Sequence, residues 1–200
     1  MSPSVATTTA SPPPGGMAFS APVGSPDIMP LAKGLSSGYL PIAAVAFHDR
    51  MADVLAATGI EYAHGVTYHG HPAAARVALE NIHINEEEGL ATRAAGPIGT
   101  YFRDRLMTLA DHPLVGEVRT CGLLACLELV EDKAARRPFP AERRVGFMCR
   151  EHCFENGLVM RAIRDGMVLS PPLIISEAEI DEIVGKAARA FDLTLAQVNG

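Results

Sequence analysis

Lys33 is the one cation in the run Pro26-Asp27-Ile28-Met29-Pro30-Leu31-Ala32-Lys33-Gly34-Leu35-Ser36-Ser37-Gly38-Tyr39-Leu40-Pro41-Ile42-Ala43-Ala44-Val45, and Lys133 and Lys186 are the only other lysines of the chain. A lysine amine becomes a nucleophile when desolvation or a neighbouring cation lowers its pKa, and its usual product is then a Schiff base with a carbonyl compound. Ile28, Met29 and Leu31 on one side and Ile42 to Val45 on the other predict two buried strands. Gly34, Ser36, Ser37 and Gly38 make the loop between them small enough for a ring to approach the backbone. The bland alternative is a lysine that snorkels to water. The lack of any other charge between Asp27 and Asp49 weighs against it. Arg161 sits between Met160 and Ala162 at the end of an apolar strand. Its guanidinium could grip a carboxylate through two parallel bonds or enter a surface ion pair. Thr67 precedes a helix start and offers a hydroxyl and backbone N–H groups to an anion, although residue chemistry alone favours a plain turn threonine.

These residues lie in three segments that together resemble one family. The run from Pro26 to Val45 resembles the cofactor-lysine segment of the class III aminotransferases, which act on amines and omega-amino acids and have the fold-type-I architecture. His64-Gly65-Val66-Thr67-Tyr68-His69-Gly70-His71-Pro72 is similar to that family's second phosphate-contacting segment. Gly157-Leu158-Val159-Met160-Arg161 through Leu169-Ser170-Pro171-Pro172-Leu173 is similar to its substrate-carboxylate segment. The resemblance covers about residues 26 to 195 in the family's order. It implies pyridoxal 5'-phosphate as cofactor, Lys33 as its covalent attachment point and catalytic acid/base, and Thr67 as a phosphate ligand reached from the neighbouring subunit of a homodimer. It also implies Arg161 as the group that holds the carboxylate of a 2-oxo acid such as pyruvate. The fold it implies is α/β: residues 26–113 as the end of a large, mainly parallel-sheet domain and 114–200 as a small α+β domain. A complete member is roughly twice this length, with its glycine-rich phosphate loop, ring-stacking aromatic and ring-nitrogen carboxylate ahead of the lysine. None of the three can be found in this sequence, and Asp27 matches a different position. The expectation is therefore the C-terminal part of a transaminase. The alternative is an inactive remnant that at most associates with other chains, and related decarboxylase or aminomutase chemistry uses a similar lysine.

Composition narrows the partners. A chain of 200 residues with 48% apolar residues, 20% charged residues and a net charge of −6 is suited to one core or two small ones, and poorly suited to nucleic acid or an anionic membrane. No run of eighteen apolar residues is present to span a bilayer, and the first residues lack the features of a secretory or transit peptide, so the cytoplasm is expected. Residues 1–25 carry no charge and are dominated by Ser, Thr, Ala, Pro and Gly. Such a composition predicts a disordered or low-complexity leader.

The positioning elements follow from periodicity. His48 to Leu55 has a short helical spacing, and a helix over 72–84 is expected to start at Pro72. Leu90, Ala94, Ile98, Phe102, Leu106 and Leu109 predict one amphipathic helix, broken near Gly96 by Pro97. Val115 to Val130 reads as two strands or one bent one, and Glu142 to Asn156 as a helix capped by Gly157. A hairpin is expected around Arg164-Asp165-Gly166, then a last helix opened by the capping box Ser176-Glu177-Ala178-Glu179. His64, His69 and His71 lack a carboxylate or cysteine nearby in sequence and read as a polar loop rather than a metal site. Cys121, Cys126, Cys149 and Cys153 do not have paired zinc spacing and read as reduced, half-buried thiols.

Overall fold

The computed structural model describes residues 26–200; the leader expected over 1–25 lies outside them. The chain divides into two compact units, Met1–Ala91 and Thr92–Gly200.

In the first unit, β1 (Ile28–Leu31) pairs antiparallel with β2 (Ala44–Phe47), with Ile28 opposite Phe47 and Leu31 opposite Ala44. A 3-10 turn at Lys33–Leu35 follows β1 directly. This pair is what the described residues show of the expected parallel-sheet domain, and it corrects the expectation of two buried strands, because every residue of β2 is exposed. Apolar residues make a strand, but a second layer has to bury it, and among the described residues none covers β2. Asp27, just ahead of β1, is buried and ion-paired with Arg50 at the start of α1 (Asp49–Ala57), and its carbonyl accepts from the His48 N–H at 2.9 Å. α2 (Pro72–Glu87) starts at Pro72 as expected, with the His71 ring accepting from the Ala74 N–H at 3.4 Å.

The second unit holds the core. The expected break at Gly96 separates α3 (Leu90–Ala95) from α4 (Pro97–Met107). Contacts group α4 with this unit, whereas the sequence placed it before a boundary at 113/114. The reason is packing, since Phe102 and Leu106 of α4 join the same core cluster as Val184 and Phe191 of α6 (Glu177–Asn199). The sheet is antiparallel throughout, in the order β3–β4–β6–β5, with β3 at Val115–Cys121, β4 at Leu124–Leu129, β5 at Arg161–Ile163 and β6 at Gly166–Leu169. Leu127, Leu129, Met167 and Leu169 point one face of it into the core, as a period of two requires. α5 (Val145–Glu155) also packs on it through Cys149 and Cys153, both fully buried rather than half-buried. α5 ends in a Schellman arrangement: Gly157 has φ +71, its N–H donates to the Phe154 carbonyl at 3.0 Å, and the Leu158 N–H donates to the Cys153 carbonyl at 2.9 Å.

Candidate active site

Lys33 lies where β1 turns into the 3-10 segment, with φ 53 in the left-handed region that costs a residue with a Cβ about 1–2 kcal/mol. Such a conformation persists only where the surroundings fix it, and it is a recurrent feature of functional turns. The fixing groups are polar. Ser36 is buried, and its hydroxyl donates to the Leu40 carbonyl at 2.6 Å. Asn81 of α2 donates through Nδ2 to the carbonyls of Gly34 at 2.8 Å and Leu35 at 3.2 Å, while its Oδ1 accepts from the Ser37 hydroxyl at 2.6 Å. Space around the turn is open, since a Cβ added at Gly34 or Gly38 would meet nothing within 4 Å. The Lys33 side chain is exposed, and among the described residues it has no hydrogen-bond or ion-pair partner. Lys186 is held by Glu182 at 2.6 Å and the Gly157 carbonyl at 3.1 Å, and Lys133 by the Ala110 carbonyl.

Thr67 is also in the first unit, exposed in a turn in which the His69 N–H donates to the Val66 carbonyl at 3.0 Å. The His69 ring reaches the same carbonyl through Nδ1 at 2.5 Å, and a Cβ at Gly65 would come within 3.0 Å of that ring. Hence the loop is stitched by its own histidines: the Nδ1 of His69 serves the turn and that of His71 caps α2. The argument that Thr67 sits at a helix N-terminus is corrected here. α2 begins only at Pro72, and the Ala74 N–H at its start is already taken by His71. What remains available to an anion at Thr67 is its hydroxyl on an exposed turn.

Arg161 belongs to the second unit and opens the edge strand β5. The registers Arg161↔Val168, Val168↔Cys126 and Cys126↔Arg119 place two arginines at the ends of one row across the outer face of the sheet. Arg119 is neutralised by Glu128 at 2.9 Å and Glu117 at 2.5 Å, and these hydrogen bonds hold its guanidinium well above its ordinary pKa. Arg161 is exposed, and among the described residues no carboxylate pairs with it. Val159 and Ile163, exposed on either side two residues away, give it an apolar border. The hairpin that carries it is anchored on α5: the Gly146 N–H donates to Asp165 at 2.8 Å, and a Cβ at Gly146 would lie 2.0 Å from the Arg164 carbonyl oxygen.

Lys33 and Thr67 thus share one unit, and Arg161 sits on the other. Comparison with known proteins gives the family. The profile of the family Aminotransferase class-III matches residues 16–191, and the chain belongs to that family. Its members depend on pyridoxal 5'-phosphate. The chain is 49% identical over 174 residues to the putrescine–pyruvate aminotransferase of Pseudomonas aeruginosa, a match that covers 87% of this chain and 38% of that protein. It is 41% identical over 173 residues to the diaminobutyrate–2-oxoglutarate transaminase of Halomonas elongata, covering 84% of this chain and 37% of that protein. Among solved structures, an (S)-enantioselective omega-transaminase from Thermomicrobium roseum superposes with a TM-score of 0.81 at 40% identity, over 86% of this chain and 38% of that one. A transaminase obtained by ancestral reconstruction gives 0.82 at 43% identity, over 87% and 39%. These neighbours have the fold-type-I architecture, and the chain spans about two fifths of their length.

The residues present fit the cofactor in part. An unpartnered amine on a turn open at Gly34 and Gly38 suits a covalent attachment, and Thr67 suits one phosphate contact. Asp27 does not suit a ring nitrogen, because its carboxylate is committed to Arg50. The residue that sequence reasoning missed is Asn81, whose partners lie more than forty residues away in the chain.

Proposed function

We propose that this chain carries the lysine and the carboxylate grip of an aminotransferase that moves an amino group from an amine or omega-amino acid to a 2-oxo acid such as pyruvate. The observation that carries this reading is the contrast among the lysines, with Lys133 and Lys186 tied to partners and Lys33 unpaired in a left-handed turn. The similarity to a putrescine–pyruvate aminotransferase and to a diaminobutyrate–2-oxoglutarate transaminase supports the substrate class.

Bound pyridoxal phosphate supplies the electron sink that stabilises charge at the substrate carbon. Lys33 Nζ would hold the cofactor covalently and, when free, would take up and return a proton as general base and acid. Thr67 Oγ1 would donate to its phosphate, from the partner subunit in a homodimer. Arg161 would hold the acceptor's carboxylate through two parallel hydrogen bonds, beside the exposed apolar side chains of Val159 and Ile163. A cytoplasmic homodimer belongs to the same reading, as the composition and the exposed apolar residues of the first unit argue.

Borohydride reduction in the presence of pyridoxal phosphate, followed by peptide mapping, tests it. The pyridoxyl group is expected on Lys33; its appearance on Lys133 or Lys186 overturns the assignment. A folded chain with no label would favour the inactive, associating remnant.

A further inference from the structure

We propose that Asn81 is a positioning residue for Lys33: its side-chain amide clamps the turn that presents the amine. The inference rests on the preceding reading for its catalytic consequence and on geometry alone for the clamp. Three hydrogen bonds connect one side chain on α2 to three of the four turn positions from Gly34 to Ser37. Gly34 and Leu35 are held by their carbonyls and Ser37 by its hydroxyl, across 44 to 47 residues of sequence. The orientation of the amide follows from chemistry, because a flipped Asn81 would set its oxygen against two carbonyl oxygens, which donate nothing. The intervening Ser36 is fixed from the other side by its bond to the Leu40 carbonyl. Each residue from Gly34 to Ser37 therefore has a tether, directly after a lysine whose own φ is in the left-handed region. Without a tether the turn would relax toward right-handed conformations, and the Lys33 amine would point in many directions rather than one. α2 is itself anchored at its start by Pro72 and the His71 cap, so the clamp connects the amine to a regular element rather than to another loop.

The clamp opposes what helix stability alone would select. An alanine at 81 would favour α2, since Ala is the better helix former. A merely structural role for the position therefore predicts no loss on Asn81→Ala, whereas the clamp predicts release of the turn. Trypsin reads this directly in the full chain, because its cut after Lys33 falls inside the clamped segment. Cleavage at Lys33–Gly34 is expected to accelerate about tenfold in Asn81→Ala relative to the unsubstituted chain, and less in Ser37→Ala, which loses one bond of three. Asn81→Asp keeps the shape and the acceptor for Ser37 but loses both donated bonds, and should behave as the alanine variant does. Cleavage after Arg76, on α2 itself, should stay unchanged. Pyridoxal phosphate should half-saturate the visible absorbance band of its Lys33 adduct at about tenfold higher concentration in Asn81→Ala. Cleavage at the unsubstituted rate in Asn81→Ala or Asn81→Asp overturns the clamp, and so does an equal acceleration after Arg76, which would mean loss of the helix. Faster cleavage with unchanged cofactor titration overturns the positioning role. If the unsubstituted chain takes up no cofactor at Lys33, the proposed function fails, and the trypsin comparison still decides whether Asn81 holds the turn.

Discussion

The connected apolar core runs from Ile98 to Phe191, wholly inside the second unit, whereas the buried apolar side chains of the first unit, among the described residues, are Ala74 and Ala78. The first unit instead leaves Tyr39, Val54, Ile60, Tyr62 and Tyr68 exposed, and α1 buries none of its residues. Its shape depends on discrete polar tethers: Asp27 with Arg50, Ser36 with Leu40, and Asn81 with the lysine turn. A net hydrogen bond contributes about 1 kcal/mol, and a fully buried large side chain about two to three times that, so the two units have unequal resources. Lys33 is on the poorer unit, whereas the hairpin under Arg161 is set by the core of the richer one.

Activity offers the widest test of this contrast. Expressed as these 200 residues, the chain should transaminate near background with an amine donor and pyruvate. Each preorganised electrostatic partner absent from a site lowers the rate by a factor of about a hundred to a thousand, and on the proposed reading Lys33 with Thr67 would supply only one covalent anchor and one phosphate contact. A steady-state assay giving about one turnover per second or more would break the comparison, by showing that these 200 residues organise a complete site unaided.

Stability gives the next largest effect. Phe102→Ala removes a fully buried ring from the core and should cost about 3–5 kcal/mol, read as a lower urea midpoint in far-ultraviolet circular dichroism. Val54→Ala on exposed α1 should stay within about 0.5 kcal/mol. Equal losses at the two positions would mean that α1 is buried in solution and that the units share one core.

The same contrast explains what could be read from sequence. The break at Gly96, the Gly157 cap and the Ser176 box obey rules confined to a few neighbouring residues, and the structure has all three. The hairpin at 164–166 was legible for the same reason, although β5 is only three residues long. Burial of β1 and β2 was misread because alternation and apolarity say which face prefers shelter, not whether a layer supplies it. At the site, Lys33 and Arg161 stood out by residue type in an apolar setting. Asn81 did not, because its three bonds span more than forty residues and an asparagine on a helix has no local signature of what it will meet.

The smallest effect lies at the start of α6 and sharpens the comparison by testing a polar device where a core stands behind it. The Ser176 hydroxyl accepts from the Glu179 N–H at 3.3 Å, and Glu179 accepts from the Ser176 N–H at 2.8 Å. Ser176→Ala should cost about 1 kcal/mol, well below the Phe102 loss, because α6 stays pinned by Ile180, Val184 and Phe191. The backbone N–H of Ser176, and then its hydroxyl, hold the Glu179 carboxyl below its ordinary pKa. A depressed carboxyl pKa means that the unfolded chain binds the proton more readily, so the contribution of Glu179 is present above the unfolded value, near about 4.3, and fades as pH falls through the folded one. Urea midpoints of the unsubstituted chain and Glu179→Gln should therefore differ at pH 6 and converge as the solution is acidified toward pH 3. A difference that stays constant with pH would show that the charge on Glu179 adds nothing to the cap, and that the core alone sets where α6 begins.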